Sequence, residues 1–358
     1  MERFDILVVG GGPAGTTVAT LCAKRGLAVG LIERRRFPRH KVCGDVLNPN
    51  CWPIFERLGA ADCINSLPQR RLTAAVFTTQ GGSTLTVDHP GLRAISRSLL
   101  DAALLNRARS VGVVIFEGEV VHGVTPGWRV STAHHEFATR YLVGADGRHS
   151  LIAQKTGLAS PRKRRRPNSV AFQAHFAAPP AMDDRVQLHL FSGGYCGIVR
   201  IDETRLNLCI VTDLDGAGHR GDCERLFADT IWRNPQVRAL DIAPVPLEPL
   251  QSAHPLRTIP NKACGRDAYL VGDALRTYEP FTGQGIFFAM RTAQLAAQTI
   301  CEGVDYTAAI DALYSERGRT NDLLHQLMYR QRAASVFSSV LARVPALKRW
   351  LAGMVLSS

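Results

Sequence analysis

The hydrophobic pattern near the start of the chain alternates between short apolar runs and a helical stripe. Residues 5–9, DILVV, and 28–33, AVGLIE, are apolar runs typical of buried parallel strands. Between them, the apolar residues from Val18 to Cys22 predict a helix that ends near Gly26. The first strand is expected to begin at about Asp5. This strand–helix–strand order predicts an α/β fold built on a parallel sheet.

A second type of pattern, with period two, occupies the middle of the chain. Residues 72–88 predict a β-hairpin around Gly81-Gly82. Residues 185–212 alternate between apolar and polar positions and predict an antiparallel sheet. Proline-rich stretches around 179–180 and 244–249 mark turns and boundaries.

Helical spacing returns in two later segments. Arg97 opens a predicted helix in ISRSLLDAALLNRA, and apolar positions four, three and four apart follow Ile286. From about Asn321 to the end, an apolar stripe with basic flanks predicts C-terminal helices. We favour packing of these helices on the domain or on a second subunit over contact with a membrane surface.

Composition narrows the class of protein. The 358 residues suit two domains, and a net charge of +12 favours acidic partners such as phosphates. No nucleic-acid-binding signature accompanies this charge. The basic run RKRRR at residues 162–166 is interpreted as a solvated linker.

The cysteines and the chain start bear on the compartment. The nine cysteines include no CxxC pair, which favours reduced thiols in a cytoplasm and argues against disulfides or a zinc site. The early first strand leaves no room for a signal peptide, and no apolar run is long enough to span a membrane. We therefore expect a cytoplasmic protein, with peripheral membrane contact only through the C-terminal helices.

The turn after the first strand reads GGGPAG. Gly10 permits a tight turn, Gly12 lets a pyrophosphate approach the backbone, and Gly15 lets helix and strand pack closely. Pro13 suits a helix start, and Glu33 ends the second strand, where it can accept hydrogen bonds from ribose hydroxyls. The pattern predicts a dinucleotide site for NAD or FAD rather than NADP.

Two later strand ends favour FAD. In AYLVGDALRTYEPFTGQGI, a strand over residues 269–271 leads to Asp273, which can bind a ribityl hydroxyl. The helix start after Gly283 and Gly285 can face the flavin pyrimidine edge. A third strand end carries Asp146 in YLVGADGRHS.

These motifs together resemble the flavoprotein group that includes p-hydroxybenzoate hydroxylase, geranylgeranyl reductases and flavin-dependent halogenases. The resemblance covers residues 1 to about 300. It implies a Rossmann-like FAD-binding domain with an inserted antiparallel-sheet substrate domain. The resemblance implies that Arg97 contacts FAD and that Val121 contacts the adenine. It also implies that Asp146 belongs to the DG motif and Asp273 to the GD motif. The arginine usual after the DG motif is replaced near Ala153.

The resemblance also implies discontinuous domains. The FAD-binding domain would comprise residues 1–68, 92–160 and 262–320. The substrate domain would comprise residues 69–91 and 161–261, and residues 321–358 would form C-terminal helices. The expected cofactor-binding residues are Gly10, Gly12, Pro13, Ala14, Gly15, Glu33, Arg34, Val42, Cys43, Gly44, Arg97, Val121, Asp146, Asp273, Gly283, Gly285 and Ile286.

The segment FPRHKVCGD, residues 37–45, resembles the FPRxKxCG segment of geranylgeranyl reductases. The resemblance implies that Cys43 lies beside the isoalloxazine ring. Arg39 and Lys41 are then expected to stabilise anionic reduced flavin and to lower the thiol pKa. A buried structural cysteine is the alternative. No metal site is expected, because no second ligand stands at a suitable spacing from Cys43.

The leading functional hypothesis is an FAD-dependent reductase of carbon–carbon double bonds in an apolar, isoprenoid- or polyketide-like substrate. An NAD(P)H-dependent flavin monooxygenase acting on an aromatic or apolar substrate is the alternative. A halogenase is disfavoured, because no lysine occurs between Lys41 and Lys155 and the WxWxIP motif is missing. A non-catalytic flavoprotein is a further alternative.

The electron source, the proton donor and the substrate surface are less defined. The resemblance implies that the flavin is reduced through transient binding of NAD(P)H or by another electron carrier, and transient NAD(P)H is expected. Proton-donor candidates are His40, His175, His189 and Tyr278. Only Tyr195 remains of the aromatic YxWxFP-type motif of geranylgeranyl reductases, since Gly197 stands in place of its tryptophan.

Overall fold

The computed structural model describes residues 1–79, 84–89, 91–161, 169–191, 193–213, 225, 228, 235–256, 258–277 and 280–315. The predicted turn glycines 81–82, the basic run at 162–166, Tyr278 and the C-terminal helices from residue 321 lie outside these residues.

The described strands are named in chain order. They are β1 (Glu2–Val9), β2 (Val29–Glu33), β3 (Val46–Leu47), β4 (Arg70–Arg71), β5 (Ala74–Thr79), β6 (Thr84–Asp88), β7 (Arg93–Ala94), β8 (Val114–Glu117), β9 (Gly123–Thr125), β10 (Arg129–Ser131), β11 (Glu136–Gly144), β12 (Ser169–Ala177), β13 (Arg185–Phe191), β14 (Gly194–Arg200), β15 (Arg205–Asp213), β16 (Gln251–Ala253), β17 (Cys264–Gly265) and β18 (Ala268–Leu270).

The described α-helices are α1 (Pro13–Ala23), α2 (Trp52–Leu58), α3 (Ala61–Asn65), α4 (Arg97–Ser110), α5 (Leu151–Lys155), α6 (Pro235–Arg238), α7 (Gly285–Glu302) and α8 (Tyr306–Ser315). Short 3₁₀ turns cover Pro49–Cys51, Gly272–Ala274 and Pro280–Thr282.

The first sheet is the Rossmann-like core. Its strand order is β17-β18-β11-β1-β2-β8, with parallel pairing from β18 through to β8. Helix α1 packs against α4 and α7. The α/β class is confirmed, but β1 begins at Glu2 rather than near Asp5. Its first residues pair with β11, starting at Glu2 opposite Phe137, a long-range contact that local hydrophobicity does not reveal.

The second sheet has the order β16-β12-β15-β14-β13-β5-β6. The predicted hairpin of β5 and β6 and the antiparallel run from β13 to β15 are confirmed. The sheet is not wholly antiparallel, however, because β5 pairs with β13 in parallel. The chain leaves after β6 and returns through the first sheet before β12, and such a long crossover permits parallel pairing.

Both faces of the second sheet are buried. One face, here called the inner face, carries Ala171, Val186, Leu188, Leu190, Tyr195, Val199, Cys209 and Val211. The outer face carries Val170, Phe172, Ala174, Phe176, Cys196, Ile198, Leu206, Leu208 and Ile210. The apolar positions predicted between 185 and 212 therefore do not share one side: Leu188 belongs to the inner face, whereas Leu208 belongs to the outer face.

The two sheets use different stretches of chain. The first draws on residues 2–33, 114–144 and 264–270, and the second on residues 74–88 and 169–253. A three-stranded sheet of β3, β7 and β4 lies outside both. Among the described residues, no helix combines the length and apolar character needed to cross a membrane.

Gly15→Ala tests the close packing of α1 on β1. A Cβ at Gly15 would lie 1.8 Å from the Gly10 carbonyl oxygen, whereas a Cβ at Gly285 would meet no atom within 4 Å. We expect Gly15→Ala to destabilise the FAD-free protein by about 1–3 kcal/mol or more, as overpacking does. Gly285→Ala, the matched control, should leave the urea midpoint of the circular-dichroism transition unchanged. Equal midpoints for the two variants would contradict this packing.

Candidate functional site

The glycine-rich turn joins β1, α1 and the end of β11. Gly10 has φ +110°, a conformation that L side chains rarely adopt. A Cβ there would lie 2.3 Å from the Ala145 carbonyl oxygen. Together with the contact of Gly15 on Gly10, this leaves space for glycine alone at both positions. The turn is therefore fixed by two neighbouring strand ends.

The start of α1 presents free backbone donors. Gly12 is the N-cap without a side-chain cap, Pro13 follows it, and the first helical bond runs from Thr16 N to Gly12 O at 3.0 Å. The N–H groups of Gly12, Ala14 and Gly15 have no hydrogen-bond partner within the described part of the chain. Together with the helix dipole, they suit a phosphate or pyrophosphate.

Glu33 is buried and holds the adjacent backbone. Its carboxylate accepts bonds from Gly11 N at 2.7 Å and Arg35 N at 2.9 Å, and Arg34 beside it is exposed. The Glu33 carbonyl also accepts bonds from residues 118 and 119, which brings the Val121 segment close. Val121 is buried, and no described residue hydrogen-bonds its backbone. These groups are placed as an adenosine site requires.

The GD motif after β18 packs on the start of α1. Gly272 has φ +59°, and a Cβ on it would lie 3.0 Å from the Ala14 Cβ. Its N–H donates to Thr292 Oγ1 of α7 at 2.9 Å. Asp273 is half-buried here, and no hydrogen bond from the described residues occupies its carboxylate. The carboxylate therefore remains available to a ligand hydroxyl.

The loop before α7 lies close to the segment that follows Cys43. A Cβ on Gly283 would lie 3.9 Å from Val46 Cγ1, which brings this loop to the chain just after Cys43. Gly285 is exposed and Ile286 is buried. As in α1, the N–H groups of Gly285, Ile286 and Phe287 have no hydrogen-bond partner among the described residues, since the first helical bond of α7 runs from Phe288 N to Gln284 O.

Asp146 of the DG motif has a structural partner. Its Oδ2 accepts bonds from Leu151 N at 2.7 Å and Ile152 N at 3.1 Å, so it caps α5. Burial raises the pKa of this carboxyl, although these bonds act in the opposite direction. A contact between Asp146 and a cofactor stays a prediction.

Arg97 and Arg39 share a carboxylate that the sequence analysis missed. The Arg97 guanidinium makes two bonds to buried Asp101, at 2.8 and 2.7 Å. Arg39 Nη1 lies 3.2 Å from the same carboxylate, and its Nη2 is 3.6 Å from a Cβ built on Gly12. The Arg97 guanidinium is therefore held by Asp101 and is not free to extend towards a ligand. The spacing of four residues between Arg97 and Asp101 was the signal that could have identified the pair.

Lys41 indicates the charge of the site. Its pKa is lowered to about 8, mainly by burial; Asp273 opposes this shift, and Arg148, Arg97 and Arg39 contribute to it. A half-buried lysine that senses three arginines and one carboxylate lies in a region of excess positive charge. Such a region suits a polyanion such as the pyrophosphate of a dinucleotide.

Cys43 does not behave as the sequence predicted. The half-buried thiol has a pKa raised by burial, against which Arg97 acts as the main opposing charge. The prediction that Arg39 and Lys41 lower this pKa was wrong, because desolvation of the thiolate outweighs the nearby cation. The Cys43 thiol therefore stays protonated at neutral pH.

Residues 37–45, here called the Cys43 loop, are hydrogen-bonded to polar side chains of β12 and β15 in the second sheet. Asn207 Nδ2 donates to Cys43 O at 2.8 Å and to Asp45 Oδ2 at 2.6 Å. His175 Nε2 lies 2.8 Å from Asp45 Oδ2, and its Nδ1 lies 2.6 Å from Glu248. Burial lowers the pKa of His175, but the two carboxylates outweigh it and raise the pKa above the usual value. Sequence reasoning named His175 only as a proton-donor candidate and missed its partners.

The rest of the inner face is apolar and meets the same loops. Val42 and Val46 pack against its cluster, and Phe281 belongs to it. The ring of Phe281 lies 5.3 Å from that of Tyr195 and 5.5 Å from that of Phe77, between centroids. Gly197 adds no side chain to this face, and a Cβ on it would come no closer than 3.6 Å to a neighbour.

Comparison with known proteins fits this geometry. The FAD binding domain family model matches residues 3–319. The chain belongs to this family. The free N–H groups at the start of α1, the open carboxylate of Asp273 and the excess cations fit the FAD dinucleotide, whose pyrophosphate is anionic.

Individual relatives differ in activity. The chain is 25% identical to a menaquinone reductase of Mycolicibacterium smegmatis, over 88% of this chain and 81% of the relative. It is 26% identical to the chloroplastic geranylgeranyl diphosphate reductase of Oryza sativa subsp. japonica, over 93% and 77%. A solved myxobacterial chondrochloren halogenase shares the fold with TM-score 0.79 and 22% identity, over 92% and 83%. Two of these proteins are named as reductases and the third as an FAD-dependent halogenase. With the FAD binding domain matched over residues 3–319, the chain is an FAD-dependent oxidoreductase within the p-hydroxybenzoate hydroxylase-like superfamily.

Thiol alkylation tests the state of Cys43. The hydrogen bond with Cys22 lowers the pKa of Cys301 to about 7, whereas burial raises the pKa of Cys43. At pH 7, iodoacetamide followed by peptide mass spectrometry should modify Cys301 faster than Cys43, because the thiolate is the nucleophile. The Cys43 rate should rise only above the usual pKa of cysteine, and fully buried Cys51 should stay unmodified. Preferential labelling of Cys43 at pH 7 would show that its thiol is ionised.

Asp273→Asn tests the GD motif. We expect FAD affinity to fall roughly ten- to hundredfold, since hydrogen bonds to charged groups contribute about 1.5–3 kcal/mol. The dissociation constant is measured by quenching of FAD fluorescence on titration of the FAD-free protein. Asp62→Asn, at an exposed position in α3, is the control. Equal affinities for the two variants would remove Asp273 from the cofactor site.

Proposed function

We propose that the protein is an FAD-dependent reductase of carbon–carbon double bonds in an apolar, isoprenoid- or polyketide-like substrate. The observation that carries this proposal is the apolar inner face of the second sheet, which packs against Val42 of the Cys43 loop and against Val46 just after that loop. The resemblance of FPRHKVCGD to geranylgeranyl reductases supports it, as do the two reductases among the relatives.

The shape of the inner face supports an apolar substrate. Tyr195, Phe281 and Phe77 place aromatic rings beside Leu188 and Val211, and all five side chains are buried. Apolar groups of this kind bind by removing hydrocarbon from water rather than by charge recognition. Gly197 lacks a side chain where the reductases carry a tryptophan, so we expect a substrate shape that differs from theirs.

The cofactor residues follow from the site. We assign the pyrophosphate to the N–H groups of Gly12, Ala14 and Gly15, with Arg39 beside them. Glu33 and Val121 would hold the adenosine, Asp273 the ribityl chain, and the first turn of α7 from Gly285 the flavin ring. Bound FAD supplies hydride chemistry at its flavin ring.

Cys43 supplies a proton in this proposal. Reduction of a double bond adds one hydride and one proton, and the Cys43 Sγ is kept protonated by burial. The Arg97 guanidinium beside it is positively charged and held by Asp101. It would stabilise the thiolate left after proton transfer, until solvent returns the proton.

Electrons reach the flavin from NAD(P)H in this proposal. Transient binding of the nicotinamide is sufficient for it to reduce the flavin. We propose a cytoplasmic protein acting on a small apolar substrate without nucleic acid.

Halogenation has less support. Residues 42–154 contain no lysine, and GGYCGIVR stands near the place of the WxWxIP motif. The solved halogenase shares the fold, but at 22% identity this likeness says nothing of activity.

Anaerobic turnover tests the reductase. The FAD-loaded protein is reduced with limiting NADH or NADPH and then mixed with prenyl alkenes, a menaquinone or enoyl thioesters. We expect flavin reoxidation without oxygen and a product that gains two hydrogens, detected by mass spectrometry. Cys43→Ala should slow turnover while FAD affinity is retained, and Cys43→Ser should restore part of the rate, because its hydroxyl can also carry a proton.

Other outcomes would replace the proposal. Reoxidation that requires oxygen, with one oxygen atom gained by the substrate, identifies a monooxygenase. A colourless purified protein that releases no FAD on denaturation identifies a non-catalytic module.

A further inference from the structure

A second cluster of reactive side chains lies where the Cys43 loop meets the second sheet. His40, His175 and Glu248 each offer a ligand atom, and these atoms all lie within 4.8 Å of one another. His175 is on β12 and buried, Glu248 precedes β16, and His40 is exposed on the Cys43 loop. The three residues are far apart in the chain, so no local spacing of metal-ligating residues in the sequence indicated this site.

The hydrogen bonds of Asp45 determine how His175 is oriented. Asp45 Oδ1 accepts from Arg97 N at 3.1 Å, and Oδ2 accepts from Asn207 Nδ2 at 2.6 Å. Asp45 is therefore an acceptor, and His175 Nε2, at 2.8 Å, is the N–H that faces it. The other ring nitrogen, Nδ1, is left to face Glu248.

The contact between His175 and Glu248 requires a positive charge. Nδ1 of His175 and Oε1 of Glu248 are 2.6 Å apart, both atoms are buried, and neither has another hydrogen-bond partner among the described residues. A nitrogen lone pair and a carboxylate oxygen repel at this separation unless a proton or a metal ion lies with them. His40 Nδ1 lies 3.4 Å from the other oxygen, Oε2, and adds a third electron-rich atom.

We propose that His40, His175 and Glu248 bind one divalent transition-metal ion, with Zn²⁺ as the best match. Two imidazoles and one carboxylate are a ligand set that Zn²⁺ accepts, with a fourth position left for water. A metal-bound histidine characteristically donates its second ring N–H to a carboxylate, and Asp45 provides that partner.

The geometry needs only small shifts. Zinc bonds to nitrogen and oxygen of about 2.0–2.2 Å hold two ligand atoms roughly 3–4 Å apart. Nδ1 and Oε1 must therefore separate by a few tenths of an ångström or more, and the widest ligand pair, within 4.8 Å now, must close by about 1–2 Å. Glu248 is partly exposed and His40 is about half-exposed, so both side chains are free to move by this amount. The bound ion would fasten the Cys43 loop to the second sheet whichever reaction the flavin performs.

Zinc binding by the full-length, tag-free, FAD-loaded protein tests the site. After removal of metals with a chelator, equilibrium dialysis against Zn²⁺ should give one tightly bound ion per chain. His40→Ala and Glu248→Gln should each weaken binding by more than about tenfold, which is the loss already typical for an outer-shell partner. His135→Ala is the matched control, since His135 also pairs with a glutamate, Glu2, at 3.1 Å, but lies outside the cluster. The FAD absorption spectrum reports that each variant has folded.

X-ray absorption at the zinc edge separates this site from binding by the nine cysteines. Only nitrogen and oxygen neighbours are expected around the ion. A sulfur shell, equal affinity in all variants, or no stoichiometric zinc would overturn the proposal. The cluster would then be an ion pair held by a proton alone.

Discussion

The close approach of three strand ends to the first turn of α1 is the constraint on which the rest of the structure depends. Gly10 meets the end of β11, Gly15 meets Gly10, and Gly272 meets Ala14, each at a distance that excludes a larger side chain. Because the backbones touch, the donors of α1, the carboxylate of Asp273 and the start of α7 face one space. A side chain at any of these contacts would separate groups that act on a single ligand.

The same region contains positively charged side chains that outnumber the nearby carboxylates. Asp101 holds two arginines, and Lys41, whose pKa is lowered mainly by burial, is surrounded by three arginines and one carboxylate. An isolated protein gains nothing from crowding cations in a half-buried region. The arrangement is understood as preorganisation for the FAD pyrophosphate, with the repulsion relieved when the anion binds.

The sequence predicted the features that depend on local pattern. The β1–α1–β2 unit, the GD loop and the helix after Gly285 follow from glycine spacing and hydrophobic period, and they lie where expected. It could not predict the parallel pairing of β5 with β13, which depends on a long crossover, or which face each apolar residue of the second sheet occupies. The thiol pKa was misjudged because charged neighbours can be read from sequence, whereas desolvation depends on three-dimensional burial. The partners of Asp45 escaped for a similar reason, since they come from distant strands.

The hydrogen bond from Asn207 to the carbonyl of Cys43 implies that the second sheet has two regions, which differ in how freely their residues can be replaced. Replacement of Asn207 on β15 or His175 on β12 would remove bonds that hold the Cys43 loop, so in the proposed enzyme variation there would displace Cys43. Around Gly197 and Tyr195, the described neighbours include apolar side chains such as Leu188 and Phe281. Related enzymes can thus change substrate specificity through substitutions in that second region, while the residues that hold the Cys43 loop stay the same. This accounts for different specificities on a single fold.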